Sequence, residues 1–225
     1  IYFVLTSLMT GIVALEILFA STKKHTTLIL FQIIIIGLSL VWTQQLIFPS
    51  VVGIDPGWHR MFTLKILESG YIPDNYAYSK LPLMHLGIGI TSLITTFNYK
   101  ISAMFFVSFI HVLSNVLFIF LVGRFLFNEK VGLFSGLLLS IANCYVQFGW
   151  WVTPNTFASV FILIVIFLLF KIRVDRALIG TSLAFFVMVS LVLSHTVTAA
   201  CMAVILFTGW ITFEICKIFN KSHFS

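Results

Sequence analysis

The sequence predicts an all-α, polytopic transmembrane fold with about seven spans and two interfacial helices in a long external loop. Three observations carry this prediction. Hydrophobic residues make up 60% of the 225 and charged residues only 9%, at a mean hydropathy of +1.11, whereas soluble domains hold about 25% charged residues. Apolar runs of roughly the 20 residues needed to cross a hydrocarbon core recur along the chain, too often and at too great a length for a signal peptide. The basic residues behind the net charge of +6 lie between those runs and form no patch interleaved with aromatics, which fits membrane orientation and excludes nucleic acid as a partner.

The apolar runs fall at residues 1–20, 28–48, 101–125, 131–147, 157–170, 177–194 and 196–213. Each is near spanning length. Residues 81–97 are ambiguous: the segment is short, has Pro82 at its start, and carries His85, Gly87, Gly89 and several threonines. Charge bias decides its placement. If it lies at the interface, one side holds Lys23, Lys24, Arg124, Lys130, Lys171, Arg173, Arg176, Lys217 and Lys221, and the other only Arg60, Lys65, Lys80 and Lys100. If it crosses, the inner side keeps only Lys23, Lys24 and Lys100. Lysine and arginine collect on the cytoplasmic side, so the first topology is favoured. Residues 49–100 then form an external loop, and the aromatic turn ending in Trp150 and Trp151 lies on the same side. Cys144, Cys201 and Cys216 sit in or at the end of apolar runs without metal-ligand spacing and read as packing residues. The chain reads as a single transmembrane domain, 1–225, and its start without Met is that expected of part of a longer protein.

A loop of about 50 residues between spans is far longer than ordinary connections and is where function concentrates. It reads as two helices. In the first, Asp55 is suited to the N-cap, Pro56 to the first helical position and Gly70 to the stop. Trp58, Phe62 and Ile66 recur every four residues with Met61 beside them, an apolar stripe able to lie on the bilayer. Asp55 and His59, also four apart, are neighbours at its border. Asp74 and the aromatics Tyr71, Tyr76 and Tyr78 follow, then Lys80, Leu81, Pro82 and His85 open the second helix at headgroup depth, where a lipid phosphate sits.

This arrangement resembles the GT-C glycosyltransferases, and the relatives of protein mannosyltransferases above all. The resemblance covers roughly residues 28–170 and is most specific in Gly53-Ile54-Asp55-Pro56-Gly57-Trp58-His59 and Lys80-Leu81-Pro82-Leu83. It implies a membrane glycosyltransferase that takes a sugar from a polyprenyl-phosphate donor to a hydroxyl of a protein, lipid or glycan on the non-cytoplasmic face. Asp55 would be the catalytic base or a ligand of a divalent cation, Mg or Mn, with His59 as its companion. His59, Arg60, Lys80 and His85 would hold the donor phosphate. The implied location is a lipid bilayer, the plasma membrane of a prokaryote. The chain departs from the family pattern in having a single acid before Pro56, a single proline at Pro82, and Pro154-Asn155 where relatives often have Pro-Asp.

Further substrate contacts are expected at Asp74, Tyr78, Trp151, Asn155 and His195, all at the membrane level of the long loop. Glu16 inside the first span, and His111 with Asn115 on one face of their span, read as structural polar groups, the latter pair as inter-helix hydrogen bonding. Two other classes are weighed against the enzyme. A transporter or lipid-handling protein would show paired halves and broken helices at the midplane, with ionisable groups at bilayer depth. A non-catalytic subunit of a membrane complex would fit the short length.

Overall fold

Apolar runs without two-residue alternation become helices in the computed structural model, which describes residues 1–19, 22–171 and 177–222. No strand occurs among the described residues. The helices are α1 (Tyr2–Phe19), α2 (Thr22–Ile47), α3 (Ile54–Ser69), α4 (Leu83–Thr95), α5 (Tyr99–Ala103), α6 (Ile110–Leu126), α7 (Glu129–Ile141), α8 (Asn143–Trp150), α9 (Pro154–Lys171), α10 (Ala177–Ser194) and α11 (Thr196–Ser222). A π-helical turn, Met104–Phe109, joins α5 to α6. Of the cytoplasmic charges expected from the sequence, Arg173 and Arg176 lie outside the described residues, as do the side chains of Lys23, Lys24 and Lys221.

Five helices among the described residues are long and apolar enough to cross a membrane: Tyr2–Phe19, His25–Ile47, Tyr99–Leu126, Pro154–Lys171 and Thr196–Lys217. A sixth arises if α7 and α8, bent by 61°, count as one span. The further span expected over 177–194 is represented by the shorter apolar helix Leu178–Ser194. At 13 residues, α4 is also among the short ones. It covers about 20 Å, well under a hydrocarbon core of about 30 Å.

Three apolar clusters hold the bundle. α1, α2, α6 and α7 meet around Ile17, Ile33, Val116 and Leu133. Close approach of α6 and α7 depends on glycine, because a Cβ on Gly132 would lie 2.6 Å from the Phe120 carbonyl oxygen. α9, α10 and α11 meet around Ala158, Leu191 and Met202. The third cluster positions the long loop: Met84 and Ile88 of α4 pack on Tyr99, Ala103 and Val107 and on Val152 and Phe157. Gly87 lets α4 sit flat there, since a Cβ would stand 1.9 Å from the Phe106 ring.

Two local expectations for the loop are corrected. The N-cap of α3 is Gly53, at φ 105°, and Asp55 makes no capping hydrogen bond. Gly53 enters a backbone region that costs glycine little, so the helix starts two residues early and takes Pro56 inside its first turn, where a missing N–H is no loss. Gly70 does stop the helix, at φ 71° with its N–H on the Ile66 carbonyl. The stripe of Trp58, Phe62 and Ile66 also divides. Phe62 and Ile66 are buried within the protein together with His59 and Thr63, while Trp58 remains exposed beside Ile54 and Met61. The periodicity marked a face, and α4 covers most of it.

Candidate active site

α3 carries the first half of the site. With Gly53 as cap, the Asp55 side chain is left 65% exposed. One turn on, His59 points into the protein, and Asp55 Oδ1 lies 3.2 Å from His59 Nε2. The contact is short but off the line of a good hydrogen bond. The other ring nitrogen, His59 Nδ1, lies 3.0 Å from His85 Nε2 on α4. His59 and His85 are 2% and 0% exposed. Aromatic rings close around them: Tyr78 meets His59 edge-on at 4.7 Å, and Phe62 meets His85 edge-on at 4.7 Å.

Burial governs the electrostatics here. His85 is held down to about 3 by loss of solvent, with the neighbouring His59 adding to the effect. His59 is lowered by burial as well, against the pull of the Asp55 carboxylate, so both rings are neutral near pH 7. Tyr78 is raised, first by burial and then by Asp55. Asp55, Trp58, His59, Phe62, Asn75, Tyr76, Ala77 and Tyr78 line a cavity of about 320 Å³. It is an apolar, aromatic hollow with one carboxylate at its wall.

A second cavity, also about 320 Å³, lies among α6, α7, α8, α9 and the start of α11. Its polar side is made by His111, Asn115, Tyr145, Asn155, Ser159 and Thr198, and no charged residue lines it. His111 Nδ1 is 3.1 Å from Ser159 Oγ on α9 and 3.2 Å from Asn115 Nδ2. The expected inter-helix bonding of His111 and Asn115 is therefore present. His195 adjoins the second cavity through Thr198: its Nδ1 accepts the Thr198 N–H at 3.2 Å and caps α11. The Thr198 hydroxyl donates to Asn155 Oδ1 at 2.7 Å. Burial lowers His195 while Asp55 opposes it, which places His195 within electrostatic reach of the first cavity.

Of the residues expected from the sequence, Asp55, His59 and Tyr78 line the first cavity and Asn155 the second. His85 is buried behind His59. Arg60 is exposed and donates to Ser50 Oγ at 3.0 Å, and Lys80 is exposed; neither lines either of these two cavities. Asp74 is exposed in the turn, and Trp151 packs edge-on against Trp150. Asn75 and Ala77 line the first cavity without having been singled out. The turn signal of Pro73, Asp74 and Asn75 was the available clue. No group of three His, Cys, Asp or Glu able to hold a metal occurs among the described residues. A divalent cation would find Asp55 and His59 only, and His59 has one nitrogen on Asp55 and the other on His85, a poor fit.

The family of dolichyl-phosphate-mannose-protein mannosyltransferases matches residues 81–224, more than half of the chain. The chain belongs to this family. It is an integral membrane glycosyltransferase of the GT-C type, which decides for an enzyme over the transporter and subunit alternatives. The matched region begins just before α4 and includes His85, Asn155 and His195, while Asp55 and His59 precede it. No curated protein and no solved structure shows a significant match.

Proposed function

We propose that this enzyme transfers a sugar, with inversion, from a polyprenyl-phosphate donor to an acceptor hydroxyl on the non-cytoplasmic face, and that Asp55 is its general base. One observation carries the reading: a solvent-facing carboxylate, free of any capping duty, stands at the wall of an aromatic cavity in the loop between two candidate spans. The family description supports a dolichyl-phosphate sugar as donor and a protein hydroxyl as acceptor. Lipid and glycan hydroxyls offer the same reacting group. A prokaryotic plasma membrane is the proposed location.

The chemistry needs one base. As the acceptor oxygen bonds to the anomeric carbon, its proton passes to Asp55, and the bond from that carbon to the phosphate oxygen breaks. The polyprenyl phosphate leaves with the electron pair. Because phosphate is a good leaving group, no second carboxylate is required, unlike the paired acids of sugar hydrolysis. Trp58, Tyr76 and Tyr78 supply apolar faces for a sugar ring, and Arg60 and Lys80 are exposed cations flanking the lining residues in sequence, suited to the phosphate. The test is sugar transfer by protein reconstituted with a polyprenyl-phosphate sugar, wild type against Asp55→Asn. Loss of transfer in the variant is expected, and equal activity would remove Asp55 from the mechanism.

A further inference from the structure

The line of contacts behind Asp55, one ion-pair contact and one hydrogen bond, has a direction and an end. If His59 Nε2 carried no hydrogen, its lone pair would face a carboxylate oxygen 3.2 Å away. The hydrogen therefore belongs on Nε2, and His59 Nδ1 must accept. Its neighbour at 3.0 Å is His85 Nε2, which then donates. Donation runs from His85 to His59, whose Nε2–H faces the Asp55 carboxylate as a close charge contact. Beyond it lies His85 Nδ1, buried and without a hydrogen-bond partner.

That dead end separates two roles the chain could have. A proton wire needs a way out, and here a proton taken up by Asp55 meets a ring nitrogen already protonated and, behind it, a nitrogen with nowhere to pass one. A fixed anchor needs the opposite, namely donors that stay put. An exposed aspartate bonded to an exposed histidine one turn away would be a weak, mobile pair. Burying both rings among Phe62 and Tyr78, and fixing the first ring with a bond from the second helix, removes that mobility.

We infer that His59 and His85 are positioning residues that hold Asp55 Oδ1, leaving Oδ2 as the basic oxygen. This rests on the reading of Asp55 as the base. It makes the catalytic unit a joint product of α3 and α4, the second of which lies inside the family's matched region.

The experiment compares His85→Leu and His85→Gln with wild type in reconstituted full chain, measuring kcat and KM for sugar transfer together with thermal stability. Loss of the donor in His85→Leu should lower kcat about 10-fold or more, the usual scale for a partner that orients an active group, with KM little changed. The Gln amide can donate to His59 Nδ1 and should restore most of the rate. Combined with Asp55→Asn, His85→Leu should cause no further loss. Wild-type kcat in His85→Leu, equal losses in the Leu and Gln variants, or additive losses with Asp55→Asn would each overturn the inference while leaving Asp55 as base. Full activity in Asp55→Asn alone would overturn both. Nitrogen-15 shifts of labelled histidines test the wild type directly: both rings should be the Nε2–H tautomer, and an Nδ1–H form of either would defeat the assignment.

Discussion

Two cavities of about 320 Å³ are built around a histidine that reaches across to a neighbouring helix: His59 to His85 in the loop, and His111 to Ser159 in the bundle. The difference between them is charge. The loop cavity holds Asp55, a largely exposed carboxylate, whereas no Asp, Glu, Lys or Arg lines the bundle cavity. In hydrocarbon an ionised group is costly, so helices there bond through amides, hydroxyls and neutral imidazole. At the membrane surface a carboxylate can be kept and used. In the proposed reaction the same residue type thus supports the base in one place, while it serves helix association in the other, and its surroundings decide which.

The largest expected effect separates the two regions outright. Asp55→Asn should lower kcat by roughly 10²- to 10⁴-fold, the range for loss of a general base, with the thermal midpoint little changed because the side chain is exposed and caps nothing. Asn115→Leu in the bundle cavity should do the reverse, keeping kcat while lowering stability. Transfer assays and thermal melts on the same reconstituted samples check both, and similar kcat losses in the two variants would erase the distinction.

Next in size is a change at neither cavity. Gly87→Ala introduces a Cβ where the Phe106 ring stands 1.9 Å away, so α4 or the ring must shift. Overpacking of this kind costs about 1–3 kcal/mol. It should also lower kcat, since α4 carries His85, while leaving the α6–α9 contacts of the bundle cavity unaffected. Melting temperature and kcat should fall together here, unlike in Asp55→Asn.

What the sequence reveals follows the same division. Spans such as Tyr99–Leu126 and Pro154–Lys171 are legible because bilayer thickness fixes the length of an apolar run. The Asp55–His59 neighbourhood is legible because a helix places residues four apart side by side. The partner of His59 is not: His85 lies 26 residues on and arrives only through packing of α3 on α4. Periodicity also groups Trp58, Phe62 and Ile66 on a face without saying whether lipid or protein covers it. The sequence points to Asp55 as the cap, and only the backbone shows that Gly53 takes that place and frees the acid.

A smaller effect comes from pH. The unfolded chain binds a proton on His85 near the ordinary 6.5, whereas the folded chain resists until about 3. Between these values the unfolded state holds more protons, so stability present above about 6.5 is lost progressively as pH falls toward 3. His59 is lowered as well and acts with the same sign. Going from pH 7.5 to 4.5 should reduce the melting temperature by at least about 3 °C, the shift that 1 kcal/mol makes in a chain of this size. His85→Phe should flatten that dependence. An unchanged slope would mean that His85 is not the buried neutral group of the loop.

The smallest effect tests the bundle cavity on its own terms. Ser159→Ala removes the hydroxyl that bonds His111 Nδ1 across α6 and α9, but Asn115 Nδ2 remains 3.2 Å from the same nitrogen. Since a second partner is already in place, the cost should fall near the average of about 0.6 kcal/mol for such bonds between membrane helices. Transfer activity should stay at the wild-type level, because the link from this cavity toward Asp55 runs through Asn155, Thr198 and His195 and does not include Ser159. A kcat loss in Ser159→Ala approaching that of His85→Leu would show that the two cavities work as one site, and the separation of chemistry from helix association would have to be redrawn around His195.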